Sequence, residues 1–125
     1  MKDFTELERA VLSKLLDGGH PVLAQLRSQL RGCRVTRREF SGVGFFTTLE
    51  VNKDAPRVGD KTIRIGDVVA DIEGLAHGAG FVLFIDHGKI TMLEGFTYDE
   101  PWPDTIRSFT LSYTRDWQKL ADALK

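Results

Sequence analysis

The sequence has few of the residues that cross-link a chain or anchor it in a membrane. It contains one cysteine, Cys33, among 125 residues, so no disulfide can form within the chain. No apolar stretch reaches the roughly 18 residues that a membrane-spanning helix needs. Residues 1–9 are polar and acidic and lack the apolar segment of a signal peptide. These absences predict a cytoplasmic protein that does not bind membranes.

An excess of positive charge is also missing. Lys and Arg total 17 against 18 Asp and Glu, a formal net charge of -1. Nucleic-acid binding draws much of its affinity from excess cations, so nucleic acid is not the expected partner. One cluster keeps single-stranded nucleic-acid binding open as a weaker alternative, because arginines beside aromatic residues are typical of such sites. Its members are Arg27, Arg31, Arg34, Arg37, Arg38, Phe40, Phe45 and Phe46.

Residues for metal binding and catalysis are equally sparse. Of the three histidines, His77 and His87 fall at opposite ends of one predicted strand, too far apart to share an ion. No Gly-x-Ser-x-Gly motif is present. Cys33 lies between Arg31 and Arg34, which would favour a thiolate, but it also suits a small apolar position at the start of a strand. We therefore predict no metal, no cofactor, no catalytic residue and a non-enzymatic protein.

The first third of the chain has the periodicity of two helices. Apolar residues recur at helical spacing between Phe4 and Leu16, and Thr5 with Glu8 can form a capping box. Pro21 suits the first turn of a second helix, which Gly32 ends. The length is that of one domain, residues 1–125, and these short helices must pack on something to persist. The pattern predicts a helical hairpin.

The remainder of the chain alternates as strands do. The predicted strands cover residues 33–40, 45–51, 63–65, 68–76, 79–86, 89–98 and 105–113. The loops His77-Gly78 and His87-Gly88 fit two-residue type I′ turns, which would fold residues 68–98 into a meander. Counting from these turns places Ala76 opposite Ala79 and Asp86 opposite Lys89. A glycine bulge at Gly74 or Gly95 would shift this register.

The predicted register divides the meander into two faces. The face expected to pack under the helices carries Ile72, Ala76, Phe81, Leu83, Ile85, Ile90, Met92 and Phe96, with Glu94 as its only acid. The other face, expected to be partly open, carries Asp71, Glu73, Val82, Phe84, Asp86, Lys89, Thr91 and Leu93. A buried acid needs a partner or a raised pKa, which makes Glu94 the foremost single candidate for function.

The sequence therefore predicts an α+β fold. It consists of an N-terminal helical hairpin, a mostly antiparallel sheet of about five to seven strands, and a short C-terminal helix. That last helix would begin at Asp116 and bury Trp117, Leu120 and Leu124 on one face. Before the final strand, Pro101-Trp102-Pro103 forms a stiff turn that presents an indole.

Three segments resemble small uncharacterised bacterial proteins, described only as hypothetical, with no established activity. These are residues 38–46 (REFSGVGFF), 80–85 (GFVLFI) and 92–98 (MLEGFTY). The resemblance covers most of the chain and implies a bacterial cytosolic origin. It assigns no catalytic residue.

The leading functional hypothesis is a non-enzymatic protein-binding module of a toxin-neutralising or regulatory type. Aromatic and apolar residues beside acids make a mixed recognition patch. Its candidate residues are Asp71, Glu73, Val82, Phe84, Glu94, Tyr98 and Trp102. One alternative is a small-molecule or hydrolytic site between helices and sheet, with Glu94, Cys33 and Tyr113 as its polar groups. A homodimer through an exposed edge strand stays open.

Overall fold

Two helices pack on one face of a six-stranded antiparallel sheet in this structure, a computed structural model that describes residues 3–114. The elements are α1 (Glu6–Leu15), α2 (Pro21–Arg31), β1 (Arg34–Phe40), β2 (Gly44–Glu50), β3 (Ile63–Ile72), β4 (Ala79–Asp86), β5 (Lys89–Thr97) and β6 (Phe109–Tyr113). Their order in the sheet is β1-β2-β5-β4-β3-β6.

The predicted fold class needs correction. Residues 3–114 form two helices and six antiparallel strands, and no C-terminal helix belongs to this architecture. The helix expected from Asp116 to Leu124 lies on residues outside the described part of the chain. The segments 63–65 and 68–76 were predicted as separate strands. Residues 63–72 form the single strand β3, with an irregularity between Ile65 and Val68, and residues 73–76 are not in a strand.

The helix boundaries follow from local capping. Thr5 Oγ1 accepts from the Glu8 backbone N–H at 3.1 Å, and Glu8 Oε1 accepts from the Thr5 N–H at 2.9 Å, which is the predicted capping box. Pro21 opens α2 as predicted, and His20 Nδ1 accepts from the Val22 N–H. These contacts satisfy N–H groups that have no partner within the first turn.

Only one of the two predicted tight turns exists. Asp86 pairs with Lys89 as expected, and His87 and Gly88 have φ values of 50° and 78°, as a type I′ turn requires. The prediction of a two-residue turn at His77-Gly78 was wrong, because Ala79 pairs with Ala70 instead of Ala76. The chain leaves β3 after Ile72 and turns at Gly74, so residues 73–78 form a longer connection.

A bulge in β5 changes the predicted faces. The pairing shifts between Phe84 and Ile85, so that Ile90 pairs with Ile85 while Met92 pairs with Phe84, and Thr91 is the extra residue. A shift of one residue moves every later side chain to the other face. Leu93 is therefore fully buried under the helices, whereas Met92, Glu94 and Phe96 lie on the opposite face. The assignment of those three residues to the buried face was wrong.

The core lies between the helices and the inner face of the sheet. Its fully buried members include Leu12, Leu16, Leu26, Ile65, Phe81, Leu83, Ile85 and Leu93. Gln29 fixes α2 to the second turn of the meander: its side chain donates to the carbonyl of Gly88 at 2.8 Å and accepts from the N–H of Ile90 at 3.0 Å. The opposite face of the sheet carries no helix of the described chain.

Candidate functional site

The open face of the sheet presents two adjacent rows of mostly apolar side chains. Cross-strand pairing places Phe46 of β2 beside Glu94 of β5, and Glu94 beside Val82 of β4. The next row joins Thr48, Met92 and Phe84 in the same way. All of these side chains are half-buried by their neighbours. We call the set Phe46, Thr48, Val82, Phe84, Met92, Glu94 and Phe96 the open-face patch.

At the end of the open-face patch that contains Phe96, the packing of the aromatic rings depends on a glycine. Phe96 pairs with Gly80, and a Cβ at Gly80 would lie 2.5 Å from Phe96 Cζ and 2.7 Å from Tyr98 Oη. The two rings stack edge to face with centroids 5.5 Å apart. Because glycine leaves this space free, both rings lie over the backbone of β4. Tyr98, 43% exposed, extends the patch beyond the end of β5.

Glu94 is the one acid within the open-face patch, and it has no hydrogen bond or ion pair with any residue in the range 3–114. Desolvation by the surrounding side chains raises the pKa of its carboxyl. The sequence predicted that Glu94 is buried under the helices and has either a partner or a raised pKa. The predicted burial was wrong, because Glu94 is half-buried on the open face. A partner cation would remove this cost.

Three ion pairs lie at the rim of the patch. Arg34 Nη2 lies 2.9 Å from Glu50 Oε1, and Arg64 Nη2 lies 3.2 Å from Asp86 Oδ1, while the Arg64 guanidinium also stacks on the Phe84 ring. A hydrogen bond from Thr91 lowers the pKa of Asp86, and the contact with Arg64 adds to this. The ion pair Arg37–Glu39 completes the rim. Glu94 therefore differs from Glu39, Glu50 and Asp86, each of which has an arginine beside its carboxylate.

The structure brings together some of the predicted site residues and separates others. Val82, Phe84, Glu94 and Tyr98 share the open face. Asp71 lies across the sheet on β3, paired with Thr110 of β6. Two further predicted residues are remote from Glu94: Glu73 accepts from the Ser108 hydroxyl, and Trp102 packs against Phe45 on the helix side, with ring centroids 5.1 Å apart.

The three polar groups of the predicted small-molecule pocket do not meet. Cys33 is buried in the core, and burial raises the pKa of its thiol to about 11, so it is a poor nucleophile. Tyr113 donates to the Lys14 carbonyl at 2.7 Å. Glu94 lies on the other side of the sheet. Buried apolar side chains pack between the helices and the sheet, and neither Cys33 nor Tyr113 lines the cleft at their edge.

A cleft of about 740 Å³ lies at the edge of the helix side of the sheet, between the start of α1, the β1–β2 hairpin and residues 102–109. At its edge Glu8 is buried and forms a close pair with Arg38, whose Nη2 lies 2.6 Å from Glu8 Oε1. Thr47 donates to Glu8 Oε2 at 2.5 Å. Burial alone would raise the pKa of Glu8, but the hydrogen bonds from Arg38, Thr47 and Thr5 hold it below its usual value.

Sequence reasoning missed Phe46, Met92, Phe96 and the Glu8–Arg38 pair. A signal for Phe46 was present, because consecutive residues of a strand point to opposite faces and Phe45-Phe46 must therefore place one ring on each side. Nothing in the spacing of Glu8 and Arg38, thirty positions apart, indicates their contact.

Residues 3–114 contain neither a metal-binding cluster nor a membrane-spanning helix. No group of three or more His, Cys, Asp or Glu residues is placed to hold a metal ion there. Neither helix in this range is long and apolar enough to cross a membrane. Comparison of the chain with protein-family models, curated proteins and solved structures found no match.

Proposed function

We propose that this protein is a non-enzymatic protein-binding module, of a toxin-neutralising or regulatory type, that acts in the cytoplasm and binds its partner with the open-face patch. The observation that carries the proposal is the carboxylate of Glu94, which is partly desolvated at the centre of an apolar sheet face and has no partner among residues 3–114. Aromatic side chains and methionine are enriched at the centres of protein interfaces, and three Phe residues and Met92 supply them here.

The proposed partner presents an arginine or lysine surrounded by apolar side chains. Glu94 has paid part of its desolvation cost in the free protein, and its carboxylate is open to a new donor. A cation placed on it would form a charge-assisted hydrogen bond away from water, where such bonds are strong. The paired rim charges would stay solvated and contribute little to affinity.

A second copy of this chain fits the patch less well. In a symmetric face-to-face dimer the same patch would supply both surfaces. The arginines beside it, Arg37 and Arg64, already pair with Glu39 and Asp86, and Lys89 donates to the carbonyl of Lys53, so a cation from the other copy would have to break one of these contacts to reach Glu94. The charge pattern therefore favours a different protein as partner.

Nucleic-acid binding is less well supported, because most arginines of the cluster already have partners within the domain. Arg34, Arg37 and Arg38 each pair with a glutamate of the same domain, and Arg27 donates to the carbonyls of Leu16 and Gly18. A neutralised arginine attracts phosphate weakly.

Affinity capture from the native host with matched charge variants would test the proposal. Glu94→Lys reverses the central charge, and Asp17→Lys makes the same change at an exposed position between the helices. We expect a protein retained by the wild type and by Asp17→Lys to be lost with Glu94→Lys and with Phe84→Ala. Its affinity for Glu94→Lys should fall by at least about thirtyfold.

Identical retention by wild type and Glu94→Lys would contradict the proposal, including when the products of neighbouring genes are coexpressed. So would a self-association that Glu94→Lys abolishes, since the partner would then be a second copy.

A further inference from the structure

The cleft at the start of α1 has the size and lining of a ligand site. Its volume, about 740 Å³, falls within the range of small-molecule pockets. Its walls combine polar and apolar side chains, and the large apolar ones are Leu7, Phe40, Phe45, Trp102, Ile106 and Phe109. Phe40 is 66% exposed at the rim although it is a large aromatic residue, and nothing in the described chain covers it.

The polar group that distinguishes this cleft is the guanidinium of Arg38. Glu8 fixes its position from below, because Arg38 Nε lies 3.0 Å from Glu8 Oε2 and Nη2 lies 2.6 Å from Glu8 Oε1. Nη2 also donates to the Asp3 carbonyl at 2.9 Å. Nη1 has no acceptor within residues 3–114. The two N–H groups of Nη1 therefore have no acceptor among these residues, and the guanidinium that carries them lines the cleft and is held in place by Glu8.

The charge of the cleft indicates which acceptor these N–H groups would take. The buried carboxylate of Glu8 neutralises Arg38, and all of its four hydrogen bonds are made within the protein, so it cannot act on a ligand. Arg107 also lines the cleft, but Glu6 and Asp104 do so too, which leaves a formal charge of −1. An anion would meet net repulsion, whereas a neutral oxygen would gain the hydrogen bonds at little cost.

We propose that this cleft binds a small neutral molecule that combines an aromatic or branched apolar body with a carbonyl oxygen. The carbonyl accepts from Nη1 of Arg38, and the body packs against Phe40 and Trp102. This site is separate from the open-face patch, on the other side of the sheet, and does not depend on the proposed protein partner.

An NMR titration with two matched probes would test this inference. N-acetyl-L-phenylalaninamide is neutral, whereas N-acetyl-L-phenylalanine has the same body and an ionised carboxylate at pH 7. We expect saturable shifts of the Arg38 guanidinium and Trp102 indole signals with the amide below about 10 mM, and about tenfold weaker binding of the acid.

Phe40→Ala is the variant of choice, because its exposed ring contributes little to the core. It should weaken binding of the amide about fivefold. Val43→Ala, also at an exposed apolar residue of this hairpin but outside the cleft, should leave the binding unchanged. Absence of saturable shifts, equal or tighter binding of the acid, or equal effects of the two variants would each overturn the proposal.

Discussion

Two glutamates lie among apolar side chains on opposite sides of the sheet, and their carboxyl groups have opposite surroundings. Glu8, on α1 facing the sheet, receives hydrogen bonds from Arg38, Thr47 and the backbone of Thr5, and its pKa is lowered. Glu94, on the open face, receives none from the described chain, and its pKa is raised. A satisfied buried acid stabilises a fold, whereas an unsatisfied one at a surface is a signal of binding.

The largest expected effect comes from removing the cation that pairs with the buried Glu8. Arg38→Met removes the cation and leaves Glu8 ionised and buried, so the free energy of unfolding should fall by about 3 kcal/mol. Urea denaturation at pH 7 measures this change. Arg34→Met breaks the ion pair with Glu50, which is solvent-exposed, and should cost less than about 1 kcal/mol. Equal losses in the two variants would show that the Glu8 pair has no special structural role.

A second prediction tests the bulge that decides which side of the sheet each residue of β5 occupies. Leu93 is fully buried and Met92 is half-buried on the open face, so Leu93→Ala should destabilise the protein by about 3 kcal/mol and Met92→Ala by about 1 kcal/mol. Thermal or urea unfolding of both variants gives the ranking. The reverse order would restore the register predicted from the sequence and place Glu94 under the helices.

The sequence predicted those features that depend on local chemistry. The capping box at Thr5, the start of α2 at Pro21 and the turn at His87-Gly88 each follow from a few adjacent residues. The turn at His77-Gly78 has the same two residue types, yet β3 pairs differently, because Ala70 and not Ala76 lies opposite Ala79. A glycine-containing pair therefore permits a tight turn without requiring one.

The site was only partly predictable for a similar reason. The composition of the open-face patch was anticipated in Val82, Phe84 and Glu94, but the face of Glu94 depends on whether Thr91 is counted as a paired residue. Thr91 is accommodated as a bulge, with its hydroxyl donating to Asp86 at 2.7 Å. A threonine in a strand gives no sign of this contact beforehand.

The smallest expected effect concerns Glu94, whose carboxyl has no partner among residues 3–114. Since the pKa of Glu94 is higher in the folded protein than its usual 4.5, the folded state binds this proton more tightly than the unfolded state. Ionised Glu94 therefore destabilises the free protein above its folded pKa, and the cost disappears as the pH falls below 4.5. Glu94→Gln should be slightly more stable than the wild type at pH 7, and the difference should vanish at low pH.

Glu8 has the opposite sign and provides the matched control. Because its folded pKa is lowered, its ionised form contributes stability above 4.5, and that stability is lost as the pH falls through the folded value. Glu8→Gln should therefore be less stable than the wild type at pH 7 and approach it in acid. Urea denaturation of both variants between pH 3 and 7 would show two curves that deviate from the wild type in opposite directions. If Glu94→Gln is also destabilised at pH 7, then Glu94 has a partner within the chain and is not the acid that awaits a cation from another protein.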